Sequence, residues 1–229
     1  MRNNNKKVKE TEGYNHGGIL SDNDIRELWG EGKDIFITTN HDYGIEFNME
    51  EQIQLGSIDL HLGHEYKLLD SAQKLDVKGI REGKYVIPQH LEKGQPLILK
   101  PHDMILTTTL EQVRLSRRIA GFITGRSSVA RLGVMVQCCQ EFINPGHGQQ
   151  IPLQLINLSP CNVELDLEVP VCQLVLMLLR TPASGAYSTQ KDSKYRDEVN
   201  GPMASRYWEN SRDTGDGDEP GTNRVYIAS

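Results

Sequence analysis

The chain has 229 residues, of which 37% are hydrophobic, and a net charge of −6 at pH 7. This length suits one domain with tails and an ordinary hydrophobic core. The acidic balance argues against a nucleic-acid groove, which needs a basic excess, so we expect no nucleic-acid partner. No apolar run reaches the length of a membrane span, and residues 1–18 lack the apolar core of a signal peptide. We therefore expect a soluble, cytoplasmic protein.

The N-terminal part predicts a flexible arm followed by one clear helix. Residues 1–18 are rich in Asn, Lys, Glu and Gly and carry too little apolar area to order themselves. Ser21 and Asp24 then have the spacing of a capping box. Apolar residues at helical spacing follow: Ile25, Leu28 and Trp29. Gly30 and Gly32 end the predicted helix.

From residue 55 onward the pattern changes to short apolar runs separated by Gly, Pro, Asp and Asn. Eight runs predict strands: 57–62, 97–99, 104–110, 119–123, 133–138, 151–156, 163–167 and 171–179. Many short strands with turns between them indicate a mainly β fold, an antiparallel barrel or sandwich. Strands do not alternate with helices, which disfavours a doubly wound nucleotide-binding sheet.

Cysteines and histidines give no metal pattern in this sequence. The four cysteines lie in apolar segments without C-x-x-C spacing: Cys138, Cys139, Cys161 and Cys172. We expect reduced, buried thiols. His61 and His64 lie three apart on a predicted strand, so they face opposite sides and are expected to be structural. The His-x-Glu and Pro-Cys-x-x-Cys signature of zinc deaminases is absent from the sequence.

The most informative segment is Gly125–Gly133, GRSSVARLG. Four of its residues can bind a polyphosphate through charge-assisted, bidentate hydrogen bonds: Arg126, Ser127, Ser128 and Arg131. The segments 143–146 (INPG) and 151–157 (IPLQLIN) follow it. Together the three segments indicate a nucleotide pocket.

The C-terminal part divides at about residue 208. Residues 187–206 mix basic and aromatic side chains, which suits phosphate and base contacts, although a solvated polar tail is the alternative. Residues 209–229 are rich in Gly, Asp and Asn, which predicts a flexible tail.

The order and spacing of these segments resemble the dCTP deaminase branch of the dCTP deaminase/dUTPase family. The resemblance covers about residues 19–208. The similarity is clear at residues 56–63 (GSIDLHLG), continues through residues 99–103, and is nearly complete at residues 125–133. It ends in residues 187–206, which are similar to the family's C-terminal nucleotide-binding tail.

The resemblance implies a distorted antiparallel β-barrel of the jelly-roll, dUTPase-like type with a short N-terminal helix. This domain would span residues 19–208, between the arm at 1–18 and the tail at 209–229. Family members assemble as homotrimers with active sites at subunit boundaries, so a homotrimer is implied here. The implied ligand is dCTP or dUTP, with Mg²⁺ held mainly by triphosphate oxygens and water.

The resemblance also implies the role of each site residue. Arg126, Ser127, Ser128 and Arg131 would hold the triphosphate, and Ser127 and Arg131 would also serve the catalytic centre. Other implied nucleotide contacts are Asn144 near the deoxyribose, Pro152, Leu153 and Gln154 at the pyrimidine edge, and Tyr187, Lys194 and Glu198 from the C-terminal segment.

Two of these positions depart from the family pattern. Gln154 stands where the family places a catalytic glutamate, and Asn144 stands where it places an aspartate. Deamination needs a group that takes a proton from water and returns it to the leaving amine, and a glutamine amide does not titrate in that range. Losing general acid–base catalysis typically costs about 10²–10⁴ in rate. Both amides can still form hydrogen bonds, so nucleotide binding is expected to survive.

Three functions stay open at this point. The chain could be a dCTP deaminase that turns over despite Gln154, with Glu141 or His147 as a displaced base. It could be a non-catalytic nucleotide sensor or regulatory trimer. It could also be a structural barrel that binds protein partners through its tails. The paired amide substitutions favour a nucleotide-binding barrel with weakened or absent deamination.

Overall fold

The computed structural model describes residues 17–39, 44–70, 72, 75, 80, 84–137, 141–190, 194–195 and 201–206. The predicted arm at 1–18, apart from residues 17 and 18, and the predicted tail at 209–229 lie outside these ranges. Glu198, Cys138 and Cys139 also lie outside them.

Short strands dominate the described part of the chain. They are β1 (Gly18–Ile19), β2 (Ile35–Thr39), β3 (Ile53–Gln54), β4 (Ser57–Leu60), β5 (Leu62–Leu69), β6 (Val86–His90), β7 (Leu97–Leu99), β8 (Met104–Leu115), β9 (Ile119–Gly125), β10 (Val134–Val136), β11 (Phe142–Ile143), β12 (Gln150–Asn157), β13 (Val163–Leu165) and β14 (Cys172–Leu178). The helices are α1 (Asp22–Glu27), α2 (Met49–Gln52) and α3 (Ser127–Ala130), with a 3₁₀ turn at Tyr187–Thr189.

The strands form two six-stranded antiparallel sheets and one two-stranded sheet. The first sheet has the order β11-β9-β14-β4-β3, with β1 also paired to β14. The second has the order β10-β12-β8-β5-β6, with β2 also paired to β8, and β7 pairs with β13. Both large sheets contribute to one hydrophobic core, in the jelly-roll-like arrangement that the sequence predicts.

Strand alternation explains which side chains enter the core. Along β12 and β14 the residues alternate between buried and half-buried, so every second side chain packs inward. In β12 the inward residues are Ile151, Leu153, Leu155 and Asn157. The other face of β12 carries Pro152 and Gln154, and it is this face that forms the candidate site.

All eight predicted runs contain strands, and the predicted helix is confirmed. In α1 the Ser21 side chain accepts from the Asp24 N–H while the Asp24 carboxylate accepts from Ser21, so the capping box is present. The sequence missed β1, β2, β3, β6, β11 and most of β5, as well as α2 and α3. Two-residue strands are too short to show a period, and Pro88 within β6 hid an edge strand, where proline is tolerated.

The two described cysteines differ in exposure. Cys172 is fully buried in β14, as expected, and burial followed by the nearby Glu111 and Asp59 carboxylates raises the pKa of its thiol. Cys161 is exposed, so the expectation that it is buried was wrong. It lies in the turn after β12, where its carbonyl accepts from Asn157 Nδ2 at 2.7 Å.

A buried carboxylate, Glu111, organises the polar part of the core. It accepts hydrogen bonds from the His61 N–H at 3.0 and 3.2 Å and from His61 Nδ1 at 2.7 Å. Gln52 Nε2 donates to Glu111 Oε1 at 2.9 Å and to the Asp59 carbonyl at 2.8 Å. These four residues, the Glu111 network, tie β8 to β4 and α2.

The two histidines of the predicted strand have the structural role expected of them. Both are buried. His61 belongs to the Glu111 network, and His64 Nδ1 donates to the Leu91 carbonyl at 2.8 Å. The described ranges contain no cluster of three or more His, Cys, Asp or Glu side chains that could hold a metal ion, and no helix in them is long and apolar enough to cross a membrane.

Replacing the central carboxylate should destabilise the fold. We expect Glu111→Ala to lower the free energy of unfolding by about 3 kcal/mol or more, because buried N–H groups lose their acceptor. Glu50→Ala is the control, since Glu50 forms an exposed ion pair with Arg26 at 2.7 Å and should cost less than about 1 kcal/mol. Urea unfolding followed by circular dichroism measures both. Equal losses would contradict the role of Glu111.

Candidate functional site

The predicted phosphate residues lie together on one turn between two strands. β9 ends at Gly125, α3 begins at Ser127, and Arg126 between them has an extended backbone. The Arg126 carbonyl accepts from the Ala130 N–H at 3.0 Å, which closes the turn. Three of the four predicted phosphate side chains are exposed: Ser127, Ser128 and Arg131. The turn therefore presents two hydroxyls and a guanidinium to solvent.

A glycine is required where this turn returns to the sheet. Gly133 has a φ of +82°, and a Cβ at this position would lie 2.8 Å from Ser159 Cβ. The Leu158 N–H donates to the Gly133 carbonyl at 2.8 Å, so the turn is fastened to the end of β12. Gly133, which closes the GRSSVARLG motif, thus serves backbone geometry rather than ligand contact.

Arg126 differs from the other phosphate candidates because it is held by protein groups. Its Nη2 forms an ion pair with Asp59 Oδ2 at 3.2 Å, and its Nη1 donates to the Pro170 carbonyl at 3.1 Å. The Asp59 carboxylate is buried and also accepts from Gln173 Nε2 at 3.1 Å. Because the Asp59 carbonyl accepts from Gln52, Arg126 is connected to the Glu111 network.

The pyrimidine side of the predicted site is a cavity of about 230 Å³ on the outer face of β12. Its lining residues are Leu106, Thr107, Gln137, Pro152, Leu153, Gln154, Tyr195, Pro202, Met203 and Ser205. Among the described residues that line this cavity, the polar side chains are hydroxyls and amides, and none is a carboxylate or an amine. The cavity is smaller than the about 300–1,000 Å³ of a typical small-molecule site, so it suits one heterocycle rather than a whole nucleotide.

Two neighbouring cavities bring in Asn144 and Tyr187. The first, of about 40 Å³, is also lined by His147 and shares Pro152 and Tyr195 with the cavity at Gln154. The second, of about 380 Å³, again has Asn144 and Tyr187 in its wall. The structure therefore groups most of the predicted base and sugar contacts around residues 144, 152, 154 and 187.

The phosphate turn does not share these cavities. In the described part of the chain, residues 126–131 line none of the three. Lys194 lies next to Tyr195 of the cavity wall, and its carbonyl accepts from Arg206 Nη1. Glu198 lies outside the described residues. Within one chain, none of these three cavities therefore joins the two halves of the predicted site.

Leu153 lines the cavity from a core position. Its side chain is 1% exposed and belongs to the hydrophobic core. Because side chains alternate along a strand, it points away from the face that carries Pro152 and Gln154. Leu153 still contributes to the cavity wall, and its place on the strand is as predicted.

Gln137 is a site residue that sequence reasoning missed. It follows β10, is 5% exposed and has a φ of +57°, a left-handed conformation that costs a non-glycine residue about 1 kcal/mol or more. Its Oε1 accepts from the Gln154 N–H at 2.9 Å, and its Nε2 donates to the Pro152 carbonyl at 2.9 Å. No sequence pattern marks a positive φ at a glutamine.

The two displaced-base candidates do not reach the Gln154 cavity. Among described residues, neither Glu141 nor His147 lines it. Glu141 is exposed, and its carbonyl accepts from the Ile123 N–H at 2.8 Å. His147 is buried, and desolvation lowers its pKa to about 4 despite hydrogen bonds to the backbone. The His147 imidazole is therefore neutral near pH 7, and Nε2 donates to the Gln149 carbonyl at 3.1 Å.

Comparisons with known proteins agree with this architecture. A family model described as dCTP deaminase-like matches residues 19–179. The dUMP-forming dCTP deaminase of Halobacterium salinarum is 36% identical over 191 residues, which is 82% of this chain and 94% of that protein. The dCTP deaminase of Halorubrum lacusprofundi is 33% identical over 194 residues, 82% of this chain and 90% of that protein.

The fold comparison points the same way. The crystal structure of 2′-deoxycytidine 5′-triphosphate deaminase from Agrobacterium tumefaciens superposes with a TM-score of 0.52 and 20% identity, over 71% of this chain and 48% of that one. Fold and site define a jelly-roll-like β protein with a cavity on one sheet, and the described side chains that line this cavity are uncharged. The chain belongs to the dCTP deaminase-like family.

His147 should make stability depend on pH. The unfolded chain protonates this imidazole near pH 6.5, whereas the folded chain does so only near pH 4, so stability falls as pH drops through that window. The difference is worth about 3 kcal/mol. His147→Gln keeps a donor for the Gln149 carbonyl but cannot titrate. Between pH 7 and pH 4, the free energy of unfolding measured in urea should fall more steeply for the wild-type chain than for His147→Gln. Parallel curves for the two proteins would contradict this.

Gly146 should be indispensable for the position of Tyr187. Its φ is +75°, and a Cβ would lie 2.4 Å from Ala186 Cα, so Gly146→Ala must displace the 186–188 segment. We expect a loss of about 2 kcal/mol or more. Gly148→Ala is the matched control, because its nearest neighbour would be Ser188 Cβ at 3.6 Å. Thermal unfolding of the two variants checks this, and similar midpoints would contradict it.

Proposed function

We propose that this chain binds the pyrimidine deoxynucleoside triphosphates dCTP and dUTP, and that it deaminates dCTP slowly or not at all. The observation that carries the proposal is the wall of the Gln154 cavity, where described residues provide amides and hydroxyls but no carboxylate. The relatives named above are dCTP deaminases, which supports a nucleotide of this class as the ligand.

The phosphate turn supports a triphosphate as the charged part of the ligand. Ser127, Ser128 and Arg131 are exposed side by side, and Arg126 stands beside them. Because this turn lines none of the three cavities described above, whereas Gln154 lines one of them, we propose that the complete site forms between subunits of a homotrimer. One chain would then supply the phosphate turn, and its neighbour the base cavity.

Magnesium would accompany the triphosphate rather than occupy a protein cage. The described residues offer no cluster of three or more carboxylate, imidazole or thiolate ligands, and Asp59 is already paired with Arg126. This donor set fits Mg²⁺ bound mainly by phosphate oxygens and water. When bound, the ion would neutralise phosphate charge beside the exposed turn.

The chemistry of the cavity explains why binding and catalysis are expected to separate. Attack of water on C4 of cytosine needs a base, and the leaving amine needs an acid. Thr107, Tyr195 and Ser205 carry hydroxyls that are weak bases near pH 7. The Gln154 amide can orient a water or the base edge but cannot accept a proton from the water. Turnover should therefore fall by about 10²–10⁴ relative to a glutamate.

A non-catalytic nucleotide sensor or regulatory trimer would bind the same nucleotides without any turnover. The burial of His147 and the exposure of Glu141 away from the Gln154 cavity favour it over a deaminase with a displaced base. A purely structural barrel makes a different prediction, because its stability would not respond to nucleotide.

Restoring the carboxylate tests the proposal. With dCTP and magnesium, the wild-type chain should release little dUTP, dUMP, ammonia or pyrophosphate above a no-protein control. We expect Gln154→Glu to raise deamination by about 10²-fold or more. Gln150→Glu is the control, since Gln150 is half-buried on the same face of β12 but does not line the Gln154 cavity. Rapid turnover by the wild-type chain would overturn the proposal.

A further inference from the structure

We propose that Gln149 contacts the sugar of the nucleotide, with its side-chain amide donating to the deoxyribose 3′-hydroxyl. The contact would form in the cavity of about 40 Å³ beside Asn144 and Tyr187, called here the small cavity. The inference rests on the proposed function and deepens it, because it assigns sugar recognition to a residue that no motif of the sequence singles out.

The Gln149 amide is buried without a hydrogen-bond partner. The residue is 5% exposed, and its Nε2 atom has no partner among the described residues. Its main chain is fixed, because the Gln149 carbonyl accepts from the Val113 N–H at 2.9 Å and from His147 Nε2 at 3.1 Å. A buried donor that stays unpaired destabilises a fold, so its presence calls for an explanation.

The position of Gln149 makes a polar side chain unexpected. It directly precedes β12, and the residues that alternate with it along the chain, Ile151 and Leu153, are buried and apolar. An apolar side chain at residue 149 would avoid the unpaired donor altogether. The glutamine therefore costs stability unless a bound group supplies the acceptor.

The small cavity adjoins both larger cavities. It shares Pro152 and Tyr195 with the Gln154 cavity, and Asn144 and Tyr187 with the cavity of about 380 Å³. Its own volume of about 40 Å³ admits a hydroxyl but no ring, since a single water needs roughly 10–15 Å³. A heterocycle in the Gln154 cavity would bring its attached sugar next to the small cavity.

The surroundings of Gln149 favour an uncharged oxygen as the acceptor. Described residues place no carboxylate, lysine or arginine in the wall of the small cavity, and burial keeps His147 neutral near pH 7 by lowering its pKa to about 4. A phosphate group would find no cation there.

The 3′-hydroxyl fits these requirements. It is the uncharged oxygen that projects from the ring of a deoxyribose, and a hydroxyl oxygen accepts a hydrogen bond from an amide N–H. The terminal torsion of a glutamine is soft, so the Gln149 amide can meet this oxygen without a change in its main chain.

Calorimetric titration of the wild-type chain with dCTP and with 2′,3′-dideoxycytidine triphosphate, in magnesium, tests the inference. The two ligands differ only in the 3′-hydroxyl, so we expect dCTP to bind about threefold or more tightly, as one hydrogen bond allows. A smaller ratio, as when water alone fills the small cavity, would overturn the inference and leave the proposed function intact. No binding of dCTP would overturn both.

A variant tests whether this preference comes from Gln149. Gln149→Met keeps a similar side-chain length without the amide and should bind the two nucleotides equally. Thr108→Val is the matched control, because Thr108 Oγ1 is also buried without a partner among the described residues but Thr108 lines none of the three cavities. The control should keep the wild-type preference. An unchanged preference in Gln149→Met would overturn the role of Gln149.

Stability separates a ligand contact from a structural one. Replacing an unpaired buried amide with an apolar side chain of similar shape should leave the urea midpoint unchanged or raise it. Gln112→Met removes a paired amide, whose Nε2 donates to the Gly148 carbonyl at 2.8 Å, and should lower the midpoint. An equal fall in Gln149→Met, or failure of that variant to fold, would mean that the fold itself needs the amide and would overturn the inference.

Discussion

The ion pair between Asp59 and Arg126 is the contact on which the arrangement of this site depends. It joins the turn that carries the predicted phosphate residues to the buried carboxylate of Asp59. Gln52 donates hydrogen bonds both to the Asp59 carbonyl and to buried Glu111, and so links the two residues. Burying charges is costly unless they are paired and hydrogen-bonded, and here Asp59 is paired with Arg126 and accepts a hydrogen bond from Gln173. The same pairing neutralises much of the charge of Arg126, which leaves the exposed Arg131 as the more available cation of the turn.

Binding and catalysis place different demands on the second half of the site. Recognition of a base requires shape and hydrogen bonds, and the described side chains around Gln154 offer amides and hydroxyls that could form them. Proton transfer requires a group whose pKa lies near the working pH, and the described wall contains none. The nearby His147 is held neutral by burial and lies in a different cavity wall. Under the proposed function, the molecule would bind the base with a wall whose described residues include no acid.

The sequence predicted those features that depend on local patterns. The capping box at Ser21, the eight strand runs and the clustering of residues 126–131 all follow from spacing, and the structure has them. Gln137 escaped prediction because its positive φ and its contacts with Pro152 and Gln154 arise only when β10 and β12 meet. The core position of Leu153 could have been anticipated, because strand alternation sets it opposite Gln154.

Nucleotide-dependent unfolding tests the central claim most directly, because it separates binding from turnover in one sample. The wild-type chain is heated with increasing dCTP and magnesium, and the nucleotide is analysed afterwards. A ligand at a hundred times its dissociation constant stabilises the folded state by about 2.7 kcal/mol. We expect an unfolding midpoint that rises with dCTP concentration while the dCTP is recovered unchanged. A midpoint that does not move, or dCTP that is fully converted, would contradict it.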